Sequence, residues 1–504
     1  MGSSVLIQKA LKIREDSIDS VLPGVTLPDP LPQNVQGIPD TILNPAELQI
    51  TGYDTLEIVQ RLASRELSCE SVTKLAQKTV NCITELLPEH AIKRAKYLDS
   101  LPHPTGPLHG LPISIKEQFG FEKDQCGAII FARTSQPQSV MHLETNNNIY
   151  GRTVNPFNRN LTAGGSSGGE GALVGFHGSP HGVGGDIGGS IRVPAANCGI
   201  YGFKPTPFRV GNPGGMGLIV GQEGIIRCIG PLAPSLSSIE LFMKAYLGTE
   251  PWIKESYLAP LPWRPIQLPK KLKIGVMWSD GIVNPHPPIT RALSLLVNSL
   301  ESNPAFEIVD WKPIDHDKCW DITCALYWED GGRRLQKVLR SGNEAPLELT
   351  QWLLEQPTIR PRTVEEALEL KEARNSYRAM YNQHWLNTGK EDNHPVDAIL
   401  SPVGPGCAPP HNQSKYWSYT SQWKLLEYPS VSFQVTKLDP SLDVRDDSYR
   451  PISKANEFNY ELYPGPEAYE DAPASLQLIM RRYEDEKCID ILKKIEAATH
   501  DFKK

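Results

Sequence analysis

Three serines and one lysine stand where the chain concentrates residues able to make and break bonds. Residues 164–172 read Gly-Gly-Ser-Ser-Gly-Gly-Glu-Gly-Ala, and a second run, Gly184 to Ala196, reads Gly-Gly-Asp-Ile-Gly-Gly-Ser-Ile-Arg-Val-Pro-Ala-Ala. Glycines at this density strip away side chains, so that backbone N–H groups can approach a ligand or a developing anion. Ser166, Ser167 and Ser190 sit inside these runs. Upstream, Leu111-Pro112-Ile113-Ser114-Ile115-Lys116 follows Gly110 and reads as a buried strand that delivers Lys116 at its end.

Two plainer readings compete. A phosphate-binding loop would carry Gly-Lys-Ser/Thr after its glycines, and a dinucleotide fingerprint would have a third glycine after Gly182-Val183-Gly184-Gly185; neither is present. A solvated linker would not interleave Ile187, Ile191, Val193 and several alanines with its glycines.

The elements that must hold these residues follow from the apolar spacing. Residues 5–20 read as an amphipathic helix, 22–43 as a proline-dotted arm, and 44–99 as three or four helices on Ile58, Leu62, Val72, Leu75, Val80 and Ile83. Residues 128–132 form a second strand candidate, and 169–178 a small-residue helix whose N-terminal amides would meet Ser166 and Ser167. Further strands are expected over 273–278, 306–309, 397–401 and 475–480, with a helix over 290–300. Strands separated by helices imply an α/β layer on a mostly parallel sheet. Residues 320–385 are mainly helical and read as a cap. Its aromatics Trp320, Tyr327, Trp328, Trp352, Tyr377 and Tyr381 suit a core better than a substrate channel.

Composition narrows the function classes. The 504 residues carry a net charge of −7 with dispersed Lys and Arg, so no nucleic-acid footprint exists. Nine scattered cysteines without a Cys-x-x-Cys pair argue for reduced thiols, and no ligand motif of the His-Glu-x-x-His kind is present, so no metal is expected. Neither a signal peptide nor an apolar run of membrane-spanning length is visible, which predicts a soluble cytoplasmic protein without stable membrane insertion.

The Gly-Gly-Ser-Ser-Gly-Gly run, the Gly-Gly-Ser-Ile-Arg-x-Pro-Ala run and Gly110-Leu-Pro-Ile-Ser-Ile-Lys116, together with Ala472-Pro-Ala-Ser-Leu-Gln477, resemble the amidase signature family over about residues 45–495. Within it the chain is most similar to fungal acetamidase-like general amidases, and also to fatty acid amide hydrolase. The resemblance implies an α/β amidase signature fold, with a central mixed, mostly parallel sheet covered by helices on both faces. It implies one domain over 45–495 with a cap-like insertion at 320–390, an arm at 1–44 and a tail at 496–504. It further implies a Ser-cisSer-Lys triad of Ser190 as nucleophile, Ser166 as bridging serine and Lys116 as base. The expected partner is a small-molecule amide, without cofactor, and a homodimer is compatible with the fold.

The chemistry is consistent with that resemblance. A serine hydroxyl needs a base, and without a partner histidine a lysine serves only when neutral, a state that burial favours. Ile187, Gly188, Gly189 and Ser190 offer consecutive N–H groups for an oxyanion hole, with Ser166 beside them. Asp186 and Arg192 are expected to brace the loop as an ion pair, and Ser167 and Ser114 to donate supporting hydrogen bonds.

Two departures bear on activity. Only residues 117–127 separate Lys116 from the next strand, where the family usually has a loop, a helix and a return strand; a parallel crossover normally takes a dozen or more residues. On this ground the sheet would lose a covering helix and Lys116 would regain its ordinary pKa, leaving an impaired, amidase-like binding protein as the alternative to an enzyme. The other enzyme reading is a fatty acid amide hydrolase-like specificity. Gly185 also replaces the threonine usual in these relatives.

Overall fold

A computed structural model describes residues 2–20, 27–64, 66, 80–120, 126–218 and 221–499. Eleven strands form one sheet. In chain order its strands are β1 (Ile83–Leu86), β2 (Pro112–Lys116), β3 (Ile129–Thr134), β6 (Gly182–Asp186), β7 (Tyr201–Lys204), β8 (Cys228–Ala233), β9 (Leu272–Val276), β10 (Phe306–Asp310), β11 (Ala398–Pro402), β12 (Ser430–Lys437) and β13 (Pro473–Ile479). The two-residue strands β4 (Asn146–Asn147) and β5 (Gly151–Arg152) make a separate hairpin. Across the large sheet the order is β1-β3-β2-β6-β8-β7-β12-β13-β11-β9-β10.

The sheet is mixed, but less parallel than expected. Parallel pairing is confined to two flanks, β3-β2-β6 and β11-β9-β10. The centre, from β6 through β8, β7, β12 and β13 to β11, is antiparallel. The reason is physical: β11 and β13 are buried along their whole length, and a strand covered on both faces shows a continuous apolar run whichever way its neighbours point.

The short crossover closes. β2 and β3 pair in parallel from Pro112 and Ile129 to Lys116 and Thr134, with one register shift after Ile113. Lys116 stays 1% exposed and burial lowers its pKa, so the expected return to an ordinary value does not occur. Residues 121–125 of that connection lie outside the described residues, as do Val72 and Leu75 of the expected helices. Helices Pro45–Thr51, Thr55–Ala63 and Pro88–Asp99 form within 44–99, but Ile83 opens the strand β1. The first helix runs Gly2–Asp19.

The cap region is helical, as His316–Tyr327, Arg333–Ser341, Glu348–Leu354 and Val364–Asn387. Trp328, Tyr377 and Tyr381 are fully buried there in a second apolar cluster that also contains Trp385 and Trp423. The main core lies along the sheet, where Ile289, Leu293, Leu296 and Leu300 from the helix Pro287–Glu301 join Ile489 and Leu492 from the helix Asp485–Ala498.

Candidate active site

The parallel pair β2-β6 aligns Ser114 with Gly182 and Ile115 with Val183, so both strands end at the same edge of the sheet. Lys116 ends one strand and the segment 187–190 leaves the other. Loops at the C-terminal ends of parallel strands are where open α/β sheets bind ligands. The next strand, β8, runs antiparallel with Cys228 opposite Asp186, which brings Arg227 to that edge too.

Lys116 Nζ donates to Ser166 Oγ at 2.6 Å, and the peptide before Ser166 is cis. Burial, helped by the Arg227 cation, holds the Lys116 amine well below the usual lysine range; Asp186 and Glu170 pull weakly the other way. Burial therefore favours the free amine over the ammonium form. Ser167 ties the neighbouring segments together. Its N–H donates to the Ser190 carbonyl at 3.1 Å, and its hydroxyl bonds both ways with Gly185, accepting from the N–H at 3.1 Å and donating to the carbonyl at 3.2 Å. Ser190 is 3% exposed.

The loop after β6 is fixed from below by one carboxylate. Asp186 accepts from the N–H groups of Gly189 at 2.8 Å and Ile191 at 3.2 Å, and from Arg192 Nε and Nη2 at 3.0 and 3.1 Å. Burial alone would raise its pKa, but the Arg192 guanidinium outweighs that and keeps it strongly acidic. The Asp186–Arg192 pair thus forms as expected. The Gly189 N–H, however, is spent on Asp186 and points away from the role anticipated for it. Among the described residues, no acceptor is assigned to the N–H groups of Ile187, Gly188 and Ser190.

From above, two hydroxyls hold the loop carbonyls. Tyr327 Oη donates to the Ile187 carbonyl and Thr420 Oγ1 to the Gly188 carbonyl, each at 2.6 Å. In a trans peptide the C=O and the following N–H point in opposite directions, so Tyr327 aims the Gly188 N–H and Thr420 aims that of Gly189. Glycine is required at both places. A Cβ on Gly188 would sit 2.4 Å from Tyr327 Oη, and one on Gly189, at φ +140°, 2.4 Å from Thr420 Oγ1.

Ser114 serves a different group. It donates at 2.6 Å to Glu170, whose other oxygen accepts from Thr134 at 2.6 Å. Burial pushes the Glu170 carboxyl up to about 8, with both hydroxyls and Lys116 opposing. Because Thr134 pairs with Lys116 across β2-β3, Glu170 braces both strands beside the lysine. The helix carrying it, Gly168–Gly175, does not offer its first amides to the serines. Gly168 N–H donates to Thr145 Oγ1 and Gly169 N–H to the Ser135 carbonyl.

Lys116, Ser166 and Ile187 form one wall of a cavity of about 320 Å³, with Gln118, Arg227 and Tyr327 around it. Of the cap aromatics weighed from the sequence, Tyr327 reaches this wall. A Cβ on Gly185 would lie 3.2 Å from Gln118 Nε2 and from Phe119 Cζ, so neighbouring side chains already take up the space a threonine would need. Among the described residues no cluster of metal-ligating side chains exists, and no helix is long and apolar enough to cross a membrane.

The amidase family model matches residues 67–126 and 123–489. The chain belongs to the amidase family. The two matched segments meet, overlapping at residues 123–126, in the β2-β3 crossover. A Schizosaccharomyces pombe protein assigned as an amidase is 42% identical over 521 residues, covering 96% of each chain. The acetamidase of Emericella nidulans is 35% identical over 498 residues, covering 90% of each. A solved fatty acid amide hydrolase superposes with a TM-score of 0.91 at 33% identity, covering 98% of this chain and 95% of that one. This amidase is therefore an amide hydrolase with the amidase signature fold.

Proposed function

We propose that this amidase hydrolyses small to medium carboxylic amides through an acyl-serine intermediate on Ser190. The observation that carries the reading is the buried, deprotonation-prone Lys116 hydrogen-bonded to Ser166 on the wall of the 320 Å³ cavity. As Ser190 Oγ attacks the amide carbon, its proton passes to Ser166, and the Ser166 proton passes to Lys116 Nζ. The carbonyl oxygen becomes an oxyanion that the N–H groups of Ile187, Gly188 and Ser190 can stabilise. The same relay run backwards protonates the amine, the C–N bond breaks, and ammonia or an amine leaves. Water activated by the relay then attacks the acyl ester, releasing the acid and restoring the serine.

A cavity of this size lies at the small end of ligand pockets, which favours short acyl groups over long chains. The test is ammonia release by purified protein from a panel running from acetamide to long-chain and aryl amides, with Ser190→Ala as control. Turnover of the short amides that the variant lacks supports the reading. A monodisperse protein that hydrolyses none of them, or an active Ser190→Ala, sinks it.

A further inference from the structure

Arg227 stands apart from the buried arginines. Arg192 is paired with Asp186 at 3.0 Å, and Arg209 with Asp485 and Glu486 at 3.2 and 3.0 Å. Arg227 is half-buried, points into the catalytic cavity, and has no carboxylate partner among the described residues. No described acidic side chain lines that cavity. A desolvated guanidinium without a counter-charge is costly unless something else completes it. Burial accordingly lowers the Arg227 pKa, with only Tyr257 acting against it.

Resting on the amidase reading of this same site, we infer that Arg227 receives a carboxylate of the substrate, and that the preferred substrates are amides bearing one carboxylate near the scissile bond. The charge balance selects a monoanion. Among the described residues the cavity's basic groups are Lys116, held toward its neutral form, and Arg227, which leaves one fixed positive charge. A planar guanidinium binds a carboxylate through two parallel hydrogen bonds, fixing orientation as well as charge. Its place one residue before Cys228, which pairs with Asp186, and its share of the cavity lining with Ile187 mean that an anion held there would orient the amide carbonyl near the candidate oxyanion donors. The neutral amide group of Gln118 completes a polar rim. The carboxylate can belong to the acyl half, as in a dicarboxylic monoamide, or to the amine half, as in an N-acyl amino acid.

The test compares succinamate with succinamide, and N-acetylglycine with N-acetylglycinamide, in wild type, Arg227→Gln and Arg227→Lys. Binding of the two anions to Ser190→Ala, with and without Arg227→Gln, is measured alongside by calorimetry. Charge-assisted hydrogen bonds of this kind change affinity by about 10–100-fold. At least one carboxylated amide should therefore exceed its neutral partner in kcat/KM by that factor. Arg227→Gln should reduce the carboxylated substrate at least ~10-fold more than the neutral one, mostly through KM, and weaken anion binding to the same degree. Arg227→Lys should keep part of the preference. The winning pair tells which half of the substrate carries the charge. Equal treatment of charged and neutral substrates by wild type overturns the proposal. So does a parallel loss on both in Arg227→Gln with a shifted pH profile, which would mean that Arg227 acts only through Lys116. Arg227-dependent anion binding without any turnover would refute the amidase reading and the substrate preference resting on it, while upholding Arg227 as the carboxylate site; anion binding that ignores Arg227 would refute the proposal whatever the turnover.

Discussion

Two of the basic side chains buried at the edge of the sheet where Ser190 sits, Arg192 and Lys116, are treated by the fold in opposite ways. Arg192, fully buried, is met by both oxygens of Asp186 and by Gln477. Lys116, 1% exposed, is met by a serine hydroxyl, with no carboxylate in contact among the described residues. The first arrangement fixes a charge and uses it to hold backbone; Asp186 spends its remaining capacity on the N–H groups of Gly189 and Ile191. The second withholds compensation, so burial lowers the amine's hold on its proton. A satisfied buried ion makes scaffold, and an unsatisfied one makes reactivity.

The comparison breaks most visibly at the lysine. Lys116→Met should lower amide turnover by about 10²–10⁴-fold, the usual contribution of a general base, while leaving the fold intact. Its stability should even gain. Lys116 titrates lower in the folded chain than in the unfolded one, so over the window between those two values the unfolded state binds the extra proton and stability falls as pH drops. Denaturation across pH should show that fall in wild type and a shallower one in Lys116→Met. A methionine variant that unfolds at neutral pH would mean that the lysine is scaffold after all.

Asp186→Asn tests the other side. It leaves the Arg192 charge buried and uncompensated, and should cost about 3–5 kcal/mol in chemical denaturation. A stability unchanged within error would show that the pair does not carry the loop. The smallest effect is expected at Tyr327→Phe, which removes the hydroxyl that aims the Gly188 N–H without disturbing either cation. Losing an oxyanion donor outright costs about 10²–10³-fold, so misaiming one should cost roughly 10-fold in kcat with KM little changed. A change confined to KM would place Tyr327 in substrate binding instead.

How legible these features were in the sequence depended on chain distance. Lys116, Ser166, Ser190 and the Asp186–Arg192 pair lie in short motifs whose residue types announce their chemistry. Tyr327 and Thr420 reach the same loop from 140 and 232 residues away, from segments with no motif, and only folding brings them in. Arg227 reads as an ordinary charge before a strand until the β6-β8 register places it at the site. The direction of the Gly189 amide is not legible, because glycine frees a backbone N–H without saying where it points; Asp186, three residues earlier, takes it. Strand positions followed from apolar runs, whereas strand direction did not, because the central strands are covered on both faces. The shortened crossover looked damaging because parallel connections usually need a helix, yet the pairing of β2 with β3 and the burial of Lys116 survive it.

The most direct test is the pH dependence of Ser190 acylation, followed as the rate of labelling by a fluorophosphonate probe in wild type and Lys116→Met. A neutral buried lysine acting through Ser166 predicts a rate that climbs with pH to a plateau, with a midpoint well below the ordinary lysine range, and no such step in the variant. A rate still climbing through the alkaline range where free lysines titrate, or the same profile in Lys116→Met, would contradict it.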